Sequence, residues 1–334
     1  MGLDLNTKKV KKNAYRITKE RGKTALRIRV PGGHLEAKYL PIIKEIAEEY
    51  GNGTIHITIR QGFEIPGIPF EKMEEINRKI RPIIEGLELD YGVKIDDPEG
   101  GYPAAGTRNV SACIGNKVCR YANYETTELA RKIEKAIYPN HYHVKIALTG
   151  CPNDCIKAHM QDFGIVGMAD TQYDSYRCIG CEACVKNCKK RATGALTFKN
   201  GKVKKDERRC IGCGECVLKC PTGAWTRNPK KFYKLLIMGR TGKKNPRLAK
   251  PFLEWVDEDT IIKVIKNTYE YIDKYIDRSL PKEHVGYIVD RTGFNVFKEY
   301  ALKDVELGPK AKVAEYIDFR GYKYEKDAFM KEEE

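Results

Sequence analysis

Residues 149–155 read Thr-Gly-Cys-Pro-Asn-Asp-Cys. The C-x3-C pair Cys151 and Cys155 follows residues 143–149 (HVKIALT), an apolar run that reads as a strand. Upstream, Cys113-Ile-Gly-Asn-Lys-Val-Cys119 forms a C-x5-C pair, and 31 residues separate Cys119 from Cys151. Between the pairs, residues 126–138 (TTELARKIEKAIY) have helical spacing. Four cysteines are thus grouped around one helix and one strand. All twelve cysteines of the chain lie between positions 113 and 220.

The N-terminus carries lysines with no apolar stretch behind them, so no signal peptide is expected and the chain reads as cytoplasmic. Twelve cysteines in a reducing compartment point to metal binding or redox chemistry rather than a disulfide framework. The 334 residues suggest two or three domains. With 41% hydrophobic and 32% charged residues and no long apolar run, the chain is neither disordered nor membrane-spanning. Its formal charge of +15 has two readings, a lysine-rich solvated surface or an anionic partner.

The N-terminal part alternates strands and helices. TALRIRV (24–30) and TIHITIR (54–60) read as strands, and residues 35–50 and 70–86 as helices. This is an α+β unit of ferredoxin-like topology, covering residues 1–99. Beyond the cysteine-rich middle come a Gly/Lys loop, GRTGKKNPR (239–247), and a long helix at 259–276.

The other eight cysteines form two C-x2-C-x2-C-x3-C runs: Cys178, Cys181, Cys184, Cys188 and Cys210, Cys213, Cys216, Cys220. This is the spacing of two-cluster bacterial ferredoxins. Three thiolates wrap one face of a [4Fe–4S] cluster and the fourth comes from the opposite run. The expected sets are therefore Cys178, Cys181, Cys184 with Cys220, and Cys210, Cys213, Cys216 with Cys188. Zinc is the competing reading for any single C-x2-C, and two complete runs weigh against it. Lys189 follows Cys188 where such runs usually place proline.

The first four cysteines and their surroundings (Thr107, Arg108, Asn109 and Val110 before Cys113; Thr149 and Gly150 before Cys151) resemble the cluster-and-siroheme motif of the sulfite and nitrite reductase family. LRIRVPGG (26–33), TIRQGFEIPGI (58–68) and YKLLIMGRTGKKNPRLAK (233–250) resemble further segments of the family, and Gly164-Ile165-Val166-Gly167 resembles its GxVG segment. The layout is most similar to the catalytic subunits of anaerobic, dissimilatory-type sulfite reductases. The resemblance implies a reductase core at 100–170 and 228–334, interrupted by an inserted two-cluster ferredoxin domain at 171–227.

It further implies siroheme and three [4Fe–4S] clusters, one held by Cys113, Cys119, Cys151 and Cys155, with Cys155 shared with the siroheme iron. The implied reaction is six-electron reduction of sulfite to sulfide, with siroheme-dependent reduction of nitrite to ammonia as the alternative. Siroheme carboxylates and an anionic substrate call for arginine and lysine. The substrate candidates are Arg27 or Arg29, Arg108 and Lys145, with His143 at the position of a second proton donor. Arg60, Gln61, Arg240, Thr241, Lys243, Lys244 and Arg247 are the candidate siroheme contacts. No role is assigned to His34, His56, His141, His159 or His284. No nucleotide-binding fingerprint is evident. Electrons are thus expected from flavin- and iron–sulfur-containing donor subunits or a ferredoxin-like donor in a hetero-oligomer. The aromatics show no stacking pattern, so nucleic acid is not an expected partner.

Overall fold

In the computed structural model the described residues are 14–95, 109–138, 140, 142–242, 246–280 and 283–317. Strands β1 (Tyr15–Ile17), β2 (Lys23–Ile28), β3 (His56–Ile57) and β4 (Phe63–Pro69) form an antiparallel sheet in the order β1-β2-β4-β3. Helices Leu40–Glu49 and Met73–Leu87 supply Ile43, Ile46, Ile76, Ile80, Ile83 and Ile84 to a core shared with Leu26, Ile28, Ile65 and Ile68 of the sheet. This is the expected ferredoxin-like half. The first helix starts at Leu40 rather than 35, and Pro41 occupies its first turn, where a missing N–H costs nothing.

One expected strand is largely overturned. Of residues 54–60 only His56–Ile57 pair with a neighbour. Thr58 Oγ1 accepts from the N–H groups of Arg60 and Gly62 (3.3 and 3.1 Å), and Gln61 adopts positive φ. The threonine side chain gives the backbone a partner that competes with a strand ladder. The alternating isoleucines therefore reach solvent instead of a core, and Ile59 is 95% exposed.

The second sheet is built from β5 (Ser111–Ala112), β6 (Ile146–Thr149) and β7 (Phe163–Met168), which run parallel, and from later strands. The chain then leaves the sheet. It forms β8 (Thr171–Tyr173), helix Ala183–Arg191, the hairpin β9 (Leu196–Lys199) and β10 (Lys202–Lys205), helix Glu215–Lys219 and β11 (Trp225–Arg227). Asn200 and Gly201, both at positive φ, make the tight turn of that hairpin. The chain returns as β12 (Phe232–Ile237), followed by β13 (Lys250–Val256) and β14 (Lys312–Val313). The sheet order is β14-β13-β12-β7-β6-β5.

β12 pairs antiparallel with β7, placing Phe232 opposite Met168 and Ile237 opposite Phe163. β8 and β11 pair in the same sense, with Thr171 opposite Arg227. The excursion between them thus begins and ends on paired strands. Helices Thr126–Ile137, Glu258–Tyr275, Val285–Thr292 and Phe294–Ala301 share one core with the six-stranded sheet. Glu125 and Asp257 cap the first two of these by accepting N–H bonds from Thr127 and Thr260 (both 3.1 Å). Among the described residues no helix is long and apolar enough to cross a membrane.

The half-domain is stitched to the second sheet by polar contacts. Gly32 N–H donates to Val110 O (2.8 Å) and Thr127 Oγ1 to Gly32 O (3.1 Å). Asn109 Nδ2 donates to Val30 O and Arg60 O (2.9 and 2.6 Å).

Candidate active site and metal centres

β5 and β6 are adjacent and parallel, so their C-terminal ends lie side by side, and each is followed at once by a cysteine-bearing turn. Cys113 N–H continues the ladder to Leu148 O (2.9 Å), and Gly150 N–H donates to Cys113 Sγ (3.1 Å). Gly150 leaves no room for a side chain, since a Cβ there would meet Ala122 Cβ at 2.4 Å. Burial pushes the Cys151 thiol up to about 11, and Cys119, Cys113 and Cys155 lie near enough to add to the shift. The structure therefore brings the four together, with Cys151 buried and Cys155 exposed. Asp154, at positive φ, accepts from the N–H groups of Ala158 and His159 (2.6 and 3.2 Å) and pairs with the His159 ring, fixing the loop beyond Cys155.

The half-domain carries a cavity of about 540 Å³ whose lining includes Arg16, Arg27, Arg29, Arg60, Ile57 and Ile59, and also Asn109, four positions before Cys113. Sequence left Arg27 and Arg29 equivalent, and the structure separates them. Arg27 pairs with Glu64 at 2.7 Å on the cavity wall. The Arg29 guanidinium is buried, ion-paired with Glu134, 4.0 Å from Glu88 and over the Tyr138 ring. Burial raises the Glu88 and Glu134 carboxyls above the usual range. Glu64 also pairs with Arg16 (2.9 Å). Burial acts to raise its carboxyl, but the hydrogen bonds from Arg27 and Arg16 prevail and hold it below the ordinary value. Gln61, a candidate siroheme contact, pairs with the backbone of Ala112. Its Nε2 donates to Ala112 O and its Oε1 accepts from Ala112 N–H, both at 2.7 Å. That clamp pins the Arg60 loop to the strand that delivers Cys113.

A second group gathers at the 239–249 loop. Lys145 Nζ donates to Thr241 O (2.6 Å), and Lys145 N–H donates to Asp162 Oδ2 (2.9 Å). Asp162 is buried, which raises its pKa from 3.8 to about 6 against the pull of the Lys145 N–H and the charges of Lys145, Arg60 and Arg247. It lies electrostatically between the two groups of cations. Arg240 and Arg247 do not present themselves as free anion ligands. Both are buried and share Asp290, at 2.9 and 2.5 Å. Arg247 also donates to Met238 O and Gly286 O, and Arg240 stacks on Tyr287. Their role in this geometry is to close the loop. The His143 ring lies 5.3 Å from that of His284. Arg108, Lys243 and Lys244 lie outside the described residues.

Sequence reasoning missed Glu64, Asp162 and Asp290. Glu64 stands opposite Arg27 in the β2–β4 register, so a correct strand pairing would have found it. The other two have no local signal.

In the excursion, Cys188, Cys210, Cys213 and Cys216 line one narrow cavity. Burial raises the thiols of Cys213 and Cys216, the latter to about 12, and Cys188 is among the neighbours acting on Cys213. Burial likewise raises Cys184, to which Cys220 adds, and Ala224 N–H donates to Cys220 Sγ (3.2 Å). Among the described residues no three His, Cys, Asp or Glu side chains converge as they would on a single metal ion.

Residues 17–83 match the Nitrite/Sulfite reductase ferredoxin-like half domain, and residues 104–308 match the Nitrite and sulphite reductase 4Fe-4S domain. The chain belongs to the nitrite and sulfite reductase family. It is 46% identical to a subunit of the anaerobic sulfite reductase of Salmonella typhimurium over 319 residues, 95% of each chain. It is 33% identical to the coenzyme F420-dependent sulfite reductase of Methanocaldococcus jannaschii over 280 residues, 82% of this chain and 41% of that protein. The crystal structure of dissimilatory sulfite reductase I shares its fold with a TM-score of 0.64 at 17% identity, covering 92% of this chain and 77% of that one.

Family members use siroheme and a [4Fe–4S] cluster, and the residues present fit both groups. Cys113, Cys119 and Cys155 placed around Cys151, with a backbone N–H on the Cys113 sulfur, suit a cluster. A cavity rimmed by solvent-facing isoleucines and arginines suits an apolar macrocycle with peripheral carboxylates.

Proposed function

We propose that the chain is the catalytic subunit of a multi-subunit, siroheme-dependent sulfite reductase, reducing sulfite to sulfide with six electrons. The observation that carries this reading is the tie between the cavity's Arg60 loop and the strand that delivers Cys113. Gln61 and Asn109 hold the Arg60 loop, which lines the arginine-rich cavity, against the strand that leads into the Cys113 turn. Near-full-length similarity to a component of a sulfite reductase favours sulfite over nitrite.

Cys113, Cys119, Cys151 and Cys155 would hold a cluster coupled to siroheme, and that pair of groups would supply an iron to receive the anion and the electrons to reduce it. Arg60, Arg27 and Arg108 orient the anion's oxygens and offset its charge. Lys145 carries a transferable proton, anchored through Thr241 O, and His143 is the second donor candidate. Asp162 beneath Lys145 balances the local positive charge. Thr241, Lys243 and Lys244 contact siroheme carboxylates from the loop that Asp290 closes through Arg240 and Arg247.

In this reading residues 1–99 are the ferredoxin-like half-domain, 100–170 with 228–334 the siroheme and cluster domain, and 171–227 an inserted two-cluster ferredoxin. The grouping of Cys188 with Cys210, Cys213 and Cys216 supports the insert's cross-ligation. Electrons arrive from flavin- and iron–sulfur-bearing subunits or a ferredoxin-like donor.

The test is anaerobic purification with iron and tetrapyrrole analysis, then steady-state rates on each anion. About thirteen iron atoms and one siroheme per chain, with sulfite preferred, are expected. A strong preference for nitrite would overturn the substrate, and absence of siroheme would overturn the enzyme reading.

A further inference from the structure

The two cysteine runs of residues 171–227 repeat one pattern, but their surroundings differ. Gly180 and Gly212 hold equivalent places, both at positive φ (73° and 65°). A Cβ on Gly212 would meet Met168 Cβ at 3.0 Å and Trp255 Cη2 at 3.1 Å, from strands of the six-stranded sheet. Gly212 O accepts from Ala169 N–H (2.7 Å), and Asn123 Nδ2 reaches it at 3.5 Å. Asn123 N–H in turn donates to Gly150 O (2.7 Å), next to Cys151. The second run therefore abuts the Cys113–Cys155 centre through a single asparagine.

The first run faces outward. A Cβ on Gly180 would meet only Phe198 (3.3 Å), from the excursion's own hairpin. Cys181 is exposed, Ile179 is 69% exposed and Tyr176 97%, whereas Ile211, the counterpart of Ile179, is half-buried. The excursion that bears this open face is basic overall. Residues 171–227 hold 13 Lys and Arg against 5 Asp and Glu, a net +8 of the chain's +15. Lys186 and Lys190 are on the helix that follows Cys181, and Lys202 Nζ lies 5.8 Å from the Tyr176 ring.

We infer that the face around Tyr176, Ile179 and Cys181 is the docking site of an acidic electron-transfer protein. Electrons enter at the Cys178–Cys184 run and leave through the Cys210–Cys216 run toward Cys151. The inference rests on the proposal that residues 171–227 hold two clusters. An apolar centre on a segment of net positive charge, with Asp174 and Glu182 as its nearest acidic residues in the sequence, suits a transient partner, because the net charge steers encounter and the apolar contact seats it. Each event oxidises the reduced donor by one electron and reduces the outer cluster by one, with no bond made or broken.

The test uses the holoenzyme and, as probe, an acidic two-cluster ferredoxin. The variant Lys186→Glu/Lys190→Glu/Lys202→Glu should weaken binding at low salt by about tenfold or more, as should the second-order rate of oxidation of the reduced probe fall. Lysine-to-glutamine changes at the same sites should give intermediate losses. Sulfite reduction driven by methyl viologen, which needs no protein docking, should be unchanged. Equal binding by variant and parent would overturn the inference. So would an equal loss in Lys44→Glu/Arg78→Glu/Lys266→Glu, which places the same charge change elsewhere. An unaltered chain with about five iron atoms in place of thirteen would instead sink the cluster reading beneath it.

Discussion

The backbone N–H of Lys145 donates to the carboxylate of Asp162 at 2.9 Å, and Asp162 is only 2% exposed. Burial raises this carboxyl from 3.8 to about 6. A carboxyl with a folded pKa above its unfolded one binds its proton more tightly when folded. Its contribution to stability is complete below about pH 4 and is lost as pH rises through about 6. Asp162→Asn keeps an oxygen for the Lys145 N–H and removes the titration. It should match the parent near pH 4 and exceed it by roughly 3 kcal/mol at pH 8. Urea midpoints at the two pH values check this, and an equal shift at both would refute it.

The Arg29 guanidinium faces two buried carboxyls, Glu134 and Glu88. Arg29→Met leaves them without that counter-charge and should destabilise the fold by about 3 kcal/mol or more. Arg29→Met/Glu134→Leu should recover much of that loss. Thermal unfolding of the three proteins checks it. A single variant of unchanged stability but raised KM for sulfite would show that Arg29 serves the substrate instead.

Asp290 is the shared partner of Arg240 and Arg247. Asp290→Ala confronts two buried guanidiniums with no carboxylate between them. Because Asp290 is about one-third exposed, solvent screens part of the loss, and a cost of about 2 kcal/mol is expected. The 239–249 loop should become protease-sensitive and siroheme retention should fall. Asp290→Glu should restore part of both.

Cys188 sits with Cys210, Cys213 and Cys216 although it belongs to the other run. With each run holding a cluster as proposed, Cys188→Ala should remove about four iron atoms, those of the second run, while the EPR signal of the first persists. Loss of the first run's signal in its place would refute crossed ligation.

The cysteine pattern was legible because cluster ligation is written in local spacing, and the strand before Cys151 in a continuous apolar run. The ferredoxin-like half was legible from periodicity, except where Thr58 turned 58–62 away from a strand. The fates of the arginines were not legible. Whether a guanidinium meets a ligand or a carboxylate depends on what the fold brings opposite, and Asp290 comes 43 residues after Arg247. The pairing of Gln61 was illegible for the same reason, since its partner is the backbone of Ala112, 51 residues on.

Met168 and Phe232 stand directly opposite each other where the chain departs from the six-stranded sheet and comes back. Strands so paired lie about 4.8 Å apart, a gap that a two-residue turn can span. To the sheet, the whole excursion is therefore equivalent to one hairpin loop. Away from the contact of Gly212 with Met168, its length and contents can change without moving β7 or β12, so the excursion and the core beneath it are free to evolve separately on a single polypeptide.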